Sequence, residues 1–118
     1  MSDIARAYQQ FISGRADNLV FEIGGYTFDG VDMIRGVLKD AKAIPENLID
    51  MTARKFKPWV SGTTDWLKQA ANQVTAAGGA PIEWYFNSEA ARDAMYNLFL
   101  EKNPDLLKSI QLIYQPAP

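Results

Sequence analysis

Three residues, Asp29, Asp40 and Lys42, combine types and spacing that could do hydrolytic chemistry. Phe28-Asp29-Gly30 reads as the end of one strand, and Leu38-Lys39-Asp40-Ala41-Lys42 lies on the next. Side chains two apart on a strand point the same way, so Asp40 and Lys42 project together while Ala41 turns back toward the core. Pairing of the two strands would bring Asp29 near Asp40. Two carboxylates on one surface repel unless a cation lies between them, which is the arrangement a divalent metal needs. An adjacent lysine then orients an attacking water or stabilises negative charge developing on a phosphate. This is the chemistry of metal-dependent phosphodiester hydrolysis. A solvated strand edge with an ordinary Lys–Asp pair has the same pattern, and spacing alone leaves both readings open. Asp32 competes with Asp29 if its strand ends later, and Glu22, one strand earlier, is a third acid read as structural.

Composition narrows the alternatives. The 118 residues are 47% hydrophobic and 22% charged, which suits one soluble domain spanning residues 1–118 with its own core. There is no cysteine and no histidine, so disulfides, thiolate or histidine metal sites and histidine-based catalysis are excluded. Any metal must be held by oxygen, which favours hard ions. The net charge is −2 and the pI about 5.0, the opposite of a typical nucleic-acid binder. Between Arg35 and Lys68, however, seven basic residues face four acids, so a local basic surface and a solvated mixed-charge face are both possible. No apolar run is long enough for a membrane span, and the start of the sequence shows no signal peptide.

The elements that must position these residues follow from periodicity. Apolar residues at helical spacing run from Ile4 to Ile12. Leu19–Ile23, Tyr26 to Gly30 and Gly36–Ala43 read as three strands of an antiparallel meander. Pro45 to about Phe56 is predicted helical, with proline in its first turn. A longer helix opens at Thr63 or Thr64, carries Leu67, Ala70, Ala71, Val74 and Ala77 on one stripe, and stops at Gly78-Gly79. Ile82, Trp84 and Phe86 mark a short buried strand, Asn87 or Ser88 caps another helix, and Ile110–Tyr114 is the last strand. The closing strand–helix–strand portion implies a crossover and a parallel pair. The fold class expected is α/β, a small sandwich. Trp59, Trp66, Trp84 and Tyr85 could stack on bases, although Trp84 alternates with core positions.

The strings Tyr26-Thr27-Phe28-Asp29-Gly30-Val31-Asp32 and Leu38-Lys39-Asp40-Ala41-Lys42 resemble the acid, acid-x-Lys core of the PD-(D/E)xK nuclease superfamily. With Gln69-Ala70-Ala71-Asn72-Gln73, Glu83-Trp84-Tyr85-Phe86 and Tyr114-Gln115-Pro116, the chain is similar to the restriction-endonuclease-fold toxins of bacterial polymorphic toxin systems, group five. The resemblance implies a restriction-endonuclease-like α/β/α sandwich and a metal-dependent endonuclease acting on DNA. It implies magnesium or manganese bound by Asp29 and Asp40, with the Ala41 carbonyl as a further ligand and Lys42 as the catalytic lysine. Gln69 and Gln73 match a glutamine that other branches place on the helix beside the active site; as residues alone they are equally exposed helix formers. A delivered effector acting in the cytoplasm of a target bacterium, used in interbacterial competition, is implied too, with a cognate immunity protein and no membrane partner. The second acid departs from the group, being Asp40 where glutamate is usual. Alternatives are therefore an inactive interaction module of the same fold or an RNA-directed nuclease.

Overall fold

Ile82, Trp84 and Phe86 alternate to give Ile82–Phe86 a dry face, and Val37–Lys42 buries Leu38 and Asp40 on its own inward face. In the computed structural model the two lie side by side in the middle of a mixed sheet. Residues 7–9, 11–12, 21–23 and 26–116 are described. Residues 7–9 and 11–12 are helical. There follow β1 (Phe21–Ile23), β2 (Tyr26–Phe28), β3 (Gly30–Asp32), β4 (Val37–Lys42), β5 (Ile49–Asp50) and β6 (Lys55–Phe56). Helix α1 (Thr63–Ala77), β7 (Ile82–Phe86), α2 (Glu89–Lys102) and β8 (Ile110–Tyr114) complete the order. The main sheet runs β3-β4-β7-β8, with β3–β4 antiparallel and both later pairs parallel. Parallel neighbours need a crossover, and α1 and α2 supply the two.

Register decides what meets the site. Asp40 lies beside Trp84, and Trp84 beside Leu112, so one row of the sheet carries a carboxylate flanked by core. That face packs on α1 and α2 through Ala70, Trp84, Ala91, Met95 and Phe99, all at most 1% exposed. The N-terminal helical residues bury Tyr8 and Ile12 outside that cluster, and the Tyr8 hydroxyl donates to the Gln115 carbonyl at 2.8 Å. The expected α/β fold with a mixed sheet is therefore observed. Gly78 and Gly79 close α1 with φ of 58° and 99°, a left-handed stop that residues with a Cβ rarely adopt. Ser88 caps α2, its Oγ accepting from the Ala91 N–H.

Four expectations need correction. Residues 45–56 are not a helix: a 3-10 turn (Glu46–Leu48) leads into the β5–β6 hairpin. Asp50 Oδ1 accepts the N–H groups of Thr52 and Ala53, a local bond that competes with helix, and Arg54 takes φ 55°. Burial of Ile49 and stacking of Phe56 on Trp66 (4.8 Å between ring centres) then fix the hairpin. Second, Gly62 rather than a threonine precedes α1, with no side-chain cap. Third, the meander is broken at Asp29: β1–β2 is a hairpin of its own, and β3 pairs with β4. Fourth, the inward face of β4 is that of Leu38 and Asp40, both 5% exposed, while Ala41 faces the opposite, half-buried side.

Candidate active site

The break at Asp29 builds the site. Its N–H donates to the Lys39 carbonyl (2.9 Å) while Gly30 holds the register position opposite Lys39, so two successive residues face one. Such a bulge bends the strand and re-aims a side chain. Here it turns the Asp29 carboxylate along the sheet toward β4, where Oδ2 accepts the Ala41 N–H at 2.7 Å. The other oxygen, Oδ1, accepts from Gln9 Nε2 at 2.6 Å. From β4, Asp40 Oδ2 collects three donors: Gln73 Nε2 (2.7 Å), Lys42 Nζ (3.1 Å) and Gln69 Nε2 (3.2 Å). Lys42 Nζ also donates to Gln69 Oε1 (2.6 Å) and lies 4.5 Å from the Trp84 ring centre. Gln73 Oε1 accepts the Trp84 Nε1–H at 2.7 Å, which fixes the amide that holds Asp40.

The sequence-predicted residues Asp29, Asp40, Lys42, Gln69 and Gln73 therefore converge. Gln69 and Gln73 are four apart on α1 and present one face to the carboxylates, and Gln73 is only 1% exposed. The solvated strand-edge reading fails on Asp40, which is 5% exposed. Burial raises the Asp29 carboxyl, and Asp40, close enough for a side-chain hydrogen bond, raises it further, to about 7 against the opposing pull of the Ala41 N–H and Lys42. Burial also pushes Asp40 upward, but the Lys42 charge, Asp29, and the Gln73 amide outweigh it and hold Asp40 below the usual carboxylate range. One proton is thus unequally shared between two carboxyls.

This donor set fits a hard divalent cation. Both carboxylates meet at the bulged end of β3, and the Asp29 carboxyl, raised to about 7 by burial and then by Asp40, carries a repulsion that such an ion relieves. The Leu38 N–H bonds toward β7 through the Pro81 carbonyl, so Ala41, three residues on, turns its N–H and C=O to the Asp29 side. Two carboxylates and one carbonyl, with water completing the shell, suit magnesium better than an all-protein cage. Among the described residues no cluster of three or more acidic side chains exists.

Other candidates fall elsewhere. Asp32 is opposite Val37 and binds Arg35, which also clamps Glu83 with two bonds of 3.0 Å, so Asp29 and not Asp32 accompanies Asp40. The Glu22 side chain lies outside the described residues. Most of the basic excess between Arg35 and Lys68 is spent in ion pairs: Arg35 with Asp32 and Glu83, Arg54 with Asp93, Lys55 with Glu101, and Lys42 within the site. Trp84 is core, Trp66 packs on Phe56, and Trp59 is 63% exposed. Sequence reasoning missed Gln9. It sits on the first predicted helix, 5% exposed, and its Oε1 is buried without a partner among the described residues; lying off the apolar positions that mark that helix, it gives no signal in the sequence.

Comparison with known families matches residues 5–89 to restriction endonuclease fold toxin 5, more than two-thirds of the 118 residues. The chain belongs to that family. No curated protein matches the chain. The span matched to restriction endonuclease fold toxin 5 contains Gln9, Asp29, Asp40, Lys42, Gln69 and Gln73, and β8 with the Tyr114-Gln115-Pro116 motif lies beyond it. Membership in this toxin family makes a nuclease toxin the coarse functional class.

Proposed function

We propose that this chain is a single metal-dependent nuclease toxin domain that hydrolyses phosphodiester bonds of DNA. The observation that carries the reading is the convergence of Asp29, Asp40 and Lys42 at the bulged end of β3, inside a chain of toxin-family sequence. Magnesium or manganese would be held by Asp29, Asp40 and the Ala41 carbonyl. When bound, the ion supplies an activated water and neutralises charge on the scissile phosphate. The protein supplies the rest. Asp29 is oriented through both oxygens, by Gln9 and by the Ala41 N–H, and must release its proton to ligate. Asp40 stays ionised in a buried position through its donors. Lys42, steadied by Gln69, directs its ammonium at the phosphate oxygens, where negative charge grows as the bond to the leaving oxygen breaks.

Toxin-family membership supports a delivered effector that acts in the cytoplasm of a target bacterium during interbacterial competition, restrained in the producing cell by an immunity protein covering the active-site face. Among the described residues no helix is long and apolar enough to cross a membrane. Plasmid DNA incubated with magnesium, with EDTA and with Asp40→Ala or Lys42→Ala tests the activity. Metal-dependent nicking that both substitutions abolish is the expected result, and intact plasmid in every lane overturns it. Cleavage of total RNA beside intact plasmid would reassign the substrate to RNA.

A further inference from the structure

A cleft of about 230 Å³ opens beside the carboxylates between the β1–β2 hairpin and α1, lined by Tyr26, Asp65, Lys68, Gln69, Asn72 and Gln73. Two of these residues, Gln69 and Gln73, are the ones that hold Asp40 and Lys42, so the cleft and the reacting centre share a wall. The volume is below the roughly 300–1,000 Å³ of pockets that enclose a whole small ligand, and it suits one unit of a polymer that continues out of the cleft. Its chemistry is that of a nucleotide: an aromatic ring on one wall, 40% exposed, and an ammonium and an amide on the other. Lys68 has no carboxylate partner among the described ion pairs.

We infer that this cleft binds an unpaired nucleotide of a DNA strand next to the scissile phosphate, its base stacked on Tyr26, its phosphate on Lys68 and its base edge within reach of Asn72. The inference rests on the nuclease reading and names the substrate form of the same site. Asp65 in the lining denies the cleft a uniformly basic character, so backbone charge alone does not hold the strand and stacking must contribute. A base inside a duplex is already covered on both faces by its neighbours. Stacking on Tyr26 therefore requires a base outside the helix, and the substrate form favoured is single-stranded or locally opened DNA.

The test is fluorescence anisotropy with a short labelled oligodeoxynucleotide, single-stranded or as a blunt duplex, in EDTA so that nothing is cut. Cleavage of the same single strand with magnesium is followed in parallel. The single strand is expected to bind more tightly than the duplex. Tyr26→Ala should weaken single-strand binding at least about fivefold and raise KM more than it lowers kcat, while Tyr26→Phe restores binding. Lys68→Ala should weaken it too and reduce the slope of log affinity against log salt by about 0.7. Both side chains are exposed, and unchanged far-UV circular dichroism will show that the fold persists. Equal affinity for single strand and duplex, or wild-type binding by both alanine variants from an enzyme that still nicks plasmid, overturns the cleft while the nuclease reading stands. Neither binding nor cleavage by the wild type overturns both.

Discussion

Gln73→Leu should be the most destabilising substitution at the site outside its charged residues, although Gln73 carries no charge and makes no proposed contact with substrate. Its amide bridges two buried groups. Nε2 donates to Asp40 at 2.7 Å, and Oε1 accepts the Trp84 indole N–H at 2.7 Å, with Trp84 fully buried. Leucine is of similar size and fills the space, so the change isolates the polar terms. Loss of the acceptor strands the Trp84 N–H in the core, which costs about 1–3 kcal/mol, and loss of a bond to an ionised partner costs about 1.5–3 kcal/mol. Asp40 keeps Lys42 and Gln69, so the two losses together are set at about 3 kcal/mol, within a total stability of roughly 5–15 kcal/mol. For a chain of this size that lowers Tm by about 10 °C. Urea melts followed by circular dichroism give the free energy, and tryptophan fluorescence reports on Trp84. Gln73→Glu keeps the acceptor for Trp84 but sets a second carboxylate against Asp40, so its loss should shrink as pH falls. A Gln73→Leu loss below about 0.5 kcal/mol, within the ordinary range for surface substitutions, would refute the bridging role.

The remaining predictions concern Asp29, Gln69 and Arg54. Asp29 is raised to about 7 in the fold, so between about pH 4 and about pH 7 the folded state holds a proton that the unfolded chain releases, and stability falls as pH rises through that window, by at most about 1.4 kcal/mol per pH unit. Asp40 is lowered, so its contribution is present above its unfolded value and is lost only on going below about pH 4. Urea melts in EDTA should show the Asp29 slope in the wild type and its removal in Asp29→Asn, and identical slopes would contradict it. Gln69→Ala should preserve the fold to within about 1 kcal/mol, because this residue is half-buried, yet reduce plasmid nicking about tenfold by freeing Lys42. Equal nicking rates in paired time courses would remove Gln69 from the positioning of that lysine. Arg54→Gly should raise Tm slightly, since relieving φ 55° is worth about 1 kcal/mol and the half-buried bridge to Asp93 is long, at 3.4 Å, and weak; a lowered Tm by calorimetry counts against strain at that turn.

What was legible in the sequence had strong periodicity behind it. The period-two pattern around Leu38 and Asp40 placed Asp40 and Lys42 together, and the apolar stripe from Leu67 to Ala77 with its Gly-Gly stop located α1. What failed depended on contacts distant in sequence. Residues 45–56 have helix-compatible composition, but Asp50 can satisfy the N–H groups of Thr52 and Ala53 locally, and Phe56 finds Trp66 only once the chain is folded. The bulge at Asp29 carries no one-residue signal beyond the following glycine, and its effect shows only against the register of β4. Burial of Gln73 was equally hidden: glutamine is mostly an exposed residue, and only Trp84, eleven positions on and across the core, needs its acceptor. Of the helix expected from Ile4 to Ile12, residues 7–9 and 11–12 are helical and the others lie outside the described residues; the bond from Gln9 to Asp29 links residues twenty apart and left no periodic trace.

A second polar cluster on the opposite side of the sheet shows why convergence of acids is not enough to mark a reacting centre. Glu83, 7% exposed, and Asp32 share the Arg35 guanidinium, and the Tyr85 hydroxyl also donates to Glu83. Arg35 hydrogen bonding is the largest influence on both carboxyls and holds both below the usual carboxylate range. All four oxygens there face matched donors or lie beside one, so the cluster is saturated and pins the turn between β3 and β4. Asp29 and Asp40 share a single ammonium in a buried setting: Asp40 stays low against its burial through Lys42, Asp29 and Gln73, and Asp29, raised by burial and by Asp40, reaches about 7. Carboxyls pushed apart in this way, on a bulge that a regular strand would not contain, are kept ready for a positive charge that the chain itself does not provide. Adding that charge internally should therefore silence the site: Gln9→Lys, placing an ammonium beside Asp29 Oδ1, is expected to lower the Asp29 carboxyl and stabilise the metal-free fold while abolishing nicking. A variant that nicks plasmid as fast as the wild type would show that the unmet charge at Asp29 has no part in the reaction.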